Sequence, residues 1–63
     1  MEAIVKITNG KTTDEIMTFD NYAKAITFAD SLKYNLSKDC HFIVETDEEI
    51  THISEFGNRI ELK

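Results

Sequence analysis

Proline and tryptophan are absent from this 63-residue chain, and it holds one cysteine and two glycines. A lone Cys40 excludes an internal disulfide, the common staple of a small domain. With only His41 and His52 beside it, a closed zinc site would have to borrow carboxylates. Gly10 and Gly57 stand alone, so no glycine-rich loop can cradle a phosphate. Asp20, at the start of the one helical stretch, would repel an anion there. No apolar run approaches the ~18 residues that a membrane span requires. The opening residues, MEAIVKITNG, alternate as a strand and lack the plan of a secretory signal. These absences lead to the expectation of a cytoplasmic protein with no cofactor, no metal and no membrane contact.

Basic residues are also scarce: seven against twelve acidic ones, a formal net charge of −5. That balance argues against direct binding to DNA or RNA, which needs a basic face to displace counterions. The excess is uneven, because six carboxylates and two bases fall from Cys40 onward.

What is present is one clear helical period, from Asp20 to Leu36. Tyr22, Ala25, Ile26, Ala29, Leu32 and Leu36 recur at spacings of 3, 1, 3, 3 and 4. A helix turning about 100° per residue gathers all six on one side. Asp20 or Asn21 can cap its first turn, and Phe19 can pack back onto Ala23 or Lys24. Lys33 intrudes near the stripe, where its stem can lie along the core edge, and Phe28 flanks it. Ala25 and Ala29, small and central, let this helix lie close against a sheet.

The flanking segments read as strands. Glu2–Thr8 is β-branched, and Asn9-Gly10 after it predicts a two-residue type I′ turn. Lys11–Phe19 returns with a broken period, since Ile16 and Met17 are adjacent and both apolar, which a bulge or a change of facing near Asp14-Glu15 would reconcile. Cys40–Thr46, Ile50–Phe56 and Arg59–Lys63 follow, with turns expected at Asp47-Glu48-Glu49 and Gly57-Asn58. The order β-β-α-β-β-β predicts a single α+β domain over 1–63, with one helix on one face of a mainly antiparallel sheet of four or five strands. An even loop after Thr46 puts Phe42, Val44, Ile53, Ile60 and Leu62 on the core face. It puts Ile43, Ile50, His52 and Phe56 on the other. The Gly57-Asn58 turn would set Ile60 beside Glu55 and Leu62 beside Ile53.

No catalytic group is expected. Cys40 and His41 are neighbours on a strand and point to opposite faces. His41 and His52 share a face but are expected several residues apart along the hairpin. Three consecutive acids in a turn splay outward and do not converge on a cation. Two binding roles are left. The first is a protein–protein interaction module, binding a partner or a second copy of itself through Ile43, Ile50, His52 and Phe56 or through a strand edge. The second is an inhibitor in which Glu45, Asp47, Glu48, Glu49, Glu55 and Glu61 imitate DNA phosphates and occupy a nucleic-acid-binding protein. The composition, rich in Ile, Lys, Asn and acids, suits a bacterial or phage accessory protein.

Overall fold

The computed structural model describes residues 1–63. It contains β1 (Ala3–Thr8), β2 (Thr13–Phe19), α1 (Tyr22–Leu32), a short 3-10 turn (Lys33–Asn35), β3 (His41–Glu45), β4 (Glu49–Ser54) and β5 (Gly57–Leu62). The five strands form one antiparallel sheet in the order β2-β1-β3-β4-β5. Because β2 and β3 both run antiparallel to β1, they run parallel to each other with β1 between them. The chain passes from β2 to β3 through α1, which lies on one face.

Helix α1 starts where its cap allows. Asn21 is extended (φ −150°, ψ 159°), and its side chain accepts a 2.8 Å hydrogen bond from the Lys24 amide. Thr27 and Ser31 on the wet side return their hydroxyls to carbonyls four residues back. No glycine closes the helix. It tightens into the 3-10 turn and stops when Leu36 becomes extended.

The face turned to the sheet buries Ala25 and Ala29 against Ala3, Val5, Phe42, Val44 and Ile53. Phe28 seals the flank, its ring 5.3 Å from that of Phe19 and 6.4 Å from that of Phe42. Phe19 thus packs on Phe28, one helical turn beyond Lys24, and shares a recess with the expected partners Ala23 and Lys24. Three buried threonines, Thr51 in this layer, Thr8 at the end of β1 and Thr46 just past β3, have partners. Thr51 Oγ1 shares a 2.7 Å hydrogen bond with the Tyr22 hydroxyl, Thr8 donates to the Thr12 carbonyl, and Thr46 accepts from the Glu48 and Glu49 amides.

Register confirms some of the sequence expectations and corrects others. Phe42 pairs with Ile53 and Val44 with Thr51, as the even loop requires. The loop is Asp47-Glu48, and Glu49 already belongs to β4. The bulge falls at Ile16, between the pairs Val5–Met17 and Lys6–Glu15. Asn9-Gly10 does not make a two-residue turn. Thr8 pairs with Thr13, and Asn9 Oδ1 instead caps the Lys11 and Thr12 amides. A type I′ turn needs positive φ at both central residues, and here only Gly10 has it, at 89°.

The last turn is also displaced. It is Glu55-Phe56, with Ser54 pairing with Gly57, so Ile60 lies beside Thr51 and Leu62 beside Glu49. The Ser54 hydroxyl organises it by accepting from the Phe56 amide and donating to the Gly57 carbonyl. This register moves by an even number of residues, so Ile60 and Leu62 keep the face expected of them.

Candidate interaction surface

Sharing the core face does not bury β5. Helix α1 packs over β1 to β4, and its one hydrogen bond to β5 is a 3.4 Å link from Asn58 Nδ2 to Asp30. Ile60 stays 58% exposed and Leu62 78% exposed. Both belong to an edge strand with β4 on one side and nothing on the other. The other edge, β2, is interrupted by its bulge at Ile16 and carries Asp14 and Glu15. A bulge of that kind discourages strand addition, and it is the bulge that distinguishes the two edges, since β5 also carries charges at Arg59 and Glu61. By contrast β5 is paired with β4 without a break from Glu49–Leu62 to Ser54–Gly57 and has no proline.

The sheet face away from α1 carries Ile43, Ile50 and His52, as expected, but as a checkerboard and not as an apolar patch. Glu45 separates Ile4 from Ile50 across the strands, and Ile43 sits between Lys6 and His52. The isoleucines are half-buried among these neighbours. Glu45 holds Lys6 Nζ at 2.6 Å and Lys63 Nζ at 2.7 Å, and these bonds keep its carboxyl below the usual carboxylate range. Phe56 is not part of this face. It stands in the β4–β5 turn, 81% exposed, because the turn lies earlier in the chain than Gly57-Asn58.

The two histidines meet. Ile43 pairs with His52, which makes His41 the diagonal neighbour of His52, with His41 Nε2 3.3 Å from His52 Nδ1. This corrects the expected separation along the hairpin. His52 Nε2 is buried without a hydrogen-bond partner, 3.8 Å from Glu61 Oε1. An N–H facing that carboxylate is favoured over a lone pair, so His41 Nε2–H donates to His52 Nδ1.

Burial, then the proximity of His52 and Arg59, push the His41 pKa below its ordinary 6.5. Folding therefore favours neutral His41. Its contribution to stability is complete above about 6.5 and is lost as pH falls through the lower folded-state value. Denaturant midpoints at pH 7.5 and 5.5 check this. The wild type is expected to lose more stability between them than His41→Gln. Equal losses would exclude His41 as the source.

Beside the histidines, at the end of the sheet under the 3-10 turn, lies an open recess of about 370 Å³. Lys33, Lys38 and Arg59 contribute to its wall, with Glu55. Lys33 is held by Asp30 at 3.1 Å and Arg59 by Glu61 at 3.4 Å. Cys40 is half-buried there, its Sγ accepting from the Ser37 hydroxyl at 3.4 Å. The six acids of the alternative reading are dispersed. Asp47 and Glu48 form one hairpin turn and Glu55 lies in the turn at the other end. Glu45 and Glu61 share the open face, and Glu49 falls on the helix side.

No family model, curated protein or solved structure matches the chain. No helix is long and apolar enough to cross a membrane, and no group of three or more His, Cys, Asp or Glu side chains is placed to hold a metal ion. The surface that the sequence reading passed over is the outer side of β5, with Ile60 and Leu62. Periodicity assigned both to the core, and the signal that could have exposed them is that a single helix is narrower than five strands.

Proposed function

We propose that the chain is a non-enzymatic protein–protein interaction module that takes its partner along the free edge of β5. The observation that carries this reading is the bare edge strand: Ile60 and Leu62 lie open beside unpaired backbone. Strand addition there gains main-chain hydrogen bonds, and the two apolar side chains contribute burial. The edge is favoured over acidic mimicry because the carboxylates are split between both faces and both ends of the β3–β4–β5 unit, and Glu45 is already neutralised by two lysines.

Ile60→Pro tests the reading. Lys63 N–H donates to the Glu48 carbonyl at 3.1 Å, and backbone direction alternates along a strand, so the Ile60 N–H points away from β4. Proline at an edge position with an outward N–H leaves the existing ladder intact. In a pull-down from nuclease-treated bacterial lysate that also contains untagged copies, wild type should retain a stoichiometric partner at high salt. Ile60→Pro should lose it while keeping its far-ultraviolet circular dichroism, and Ile43→Lys should keep it. Loss with Ile43→Lys alone would move the contact to the open face. A partner released by salt alone would favour the acidic side.

A further inference from the structure

We infer that the occupant of the β5 edge is a second copy of this chain, paired antiparallel about a two-fold axis through Ile60. This rests on the edge reading above. The alternation fixed by Lys63 points the backbone of Gly57, Arg59 and Glu61 at β4 and that of Asn58, Ile60 and Leu62 outward. A two-fold axis at Ile60 sets Ile60 against Ile60 and Asn58 against Leu62 of the second copy. Every outward amide and carbonyl of these three residues then has a partner.

The side chains select the same register. On the open face this pairing places Arg59 opposite Glu61 of the second copy, and Glu61 opposite its Arg59. Centring on Arg59 would oppose arginine to arginine, and centring on Glu61 would oppose glutamate to glutamate. Like charges directly opposed in a sheet are unfavourable. Centring on Asn58 or Leu62 shortens the overlap at one end of the strand. On the helix side the chosen register brings the two Ile60 side chains together and sets Leu62 diagonal to Ile60 of the second copy. The apolar side chains that α1 leaves bare then bury their flanks against one another, and one sheet continues through both molecules. For a domain this small, association supplies burial that the monomer core does not reach.

The charge pattern provides a test confined to the contact between copies. Arg59→Glu and Glu61→Arg each put like charges across the interface and should weaken self-association by roughly tenfold or more. Mixed in equal amounts, the two variants form a heterodimer in which both cross-strand pairs are again opposite. Within each variant chain residues 59 and 61 still share a sign, so any recovery must arise between chains. Sedimentation equilibrium should show wild type rising from 7.2 kDa towards twice that mass with concentration. Each variant alone should stay near the monomer, and the mixture should return to the wild-type curve. A mixture no stronger than its components overturns this register. A wild type that stays monomeric at all concentrations overturns self-pairing. If Ile60→Pro nevertheless abolishes capture of a different protein, the edge reading survives with another occupant. If Ile60→Pro changes no association, that reading fails too.

Discussion

Ile53→Ala is expected to remove roughly 2–5 kcal/mol, the usual cost of deleting most of a buried isoleucine side chain. A chain of this length has roughly 3–9 kcal/mol in total, so the variant should be near or past the edge of folding. Ile53 is fully buried, pairs with Phe42 and lies in the cluster capped by Ala25 and Ala29. The proper control is Ile60→Ala, an isoleucine on the same side of the sheet, one strand further out and uncovered by the helix. Measured below the association range, it should cost under about 1 kcal/mol, as surface changes do. Urea melts of both variants decide. Similar midpoints for the two would mean that the helix does not divide the sheet into a covered and a bare part.

That division explains how much of the fold was legible in the sequence. Most of the helical stripe, the Asn21 cap and the even β3–β4 loop were readable because each depends on residues close in the chain. The helix ends at Leu32, however, which is 36% exposed, and Leu36 lies beyond it as an extended residue. Face assignment on β5 also survived, although the turn was placed two residues late. Gly57-Asn58 is a strong local turn signal, but Gly57 instead opens β5 with φ 131°, and Ser54 closes the turn with its hydroxyl. Coverage was not readable. Strands lie about 4.8 Å apart, so the outer two axes of a five-stranded sheet are about 19 Å apart. A helix is about 10–12 Å wide. Periodicity says which side a residue faces, and only the position of the helix says whether anything lies above it.

The candidate site was legible to a similar depth. Ile43, Ile50 and His52 were placed on the correct face, because parity alone fixes that. Their neighbours were not, because the patch depends on what β1 and β5 contribute. The sequence does not state that β1 inserts between β2 and β3, bringing Lys6 beside Glu45 and Ile43. The histidine contact was within reach, since the even loop opposes Ile43 to His52 and makes His41 a diagonal neighbour. Diagonal partners about 7–8 Å apart at the backbone lie within reach of long and aromatic side chains.

Ala29→Leu should also be strongly destabilising. Ala29 is fully buried where α1 crosses the sheet, and with Ala25 it sets how close the helix can come. Three extra carbons at that contact must either push the helix outward or force neighbouring side chains off their rotamers. Overpacking of this kind typically costs 1–3 kcal/mol and occasionally more. Here the displacement would also strain the 2.7 Å Tyr22–Thr51 hydrogen bond at the start of the helix and the Phe19–Phe28–Phe42 contacts along its flank. Leucine is nearly as good a helix former as alanine, so propensity cannot account for a large loss. Ala23→Leu provides the comparison: Ala23 is exposed on the same helix, beside the shallow apolar recess formed by Phe19 and Phe28. It should be neutral or slightly stabilising. Thermal melts should separate the two variants by about 5–20 °C, taking roughly 4–8 °C per kcal/mol for a domain of this size. Equal melting temperatures would show that the helix–sheet spacing is slack and that the two alanines are not what sets it.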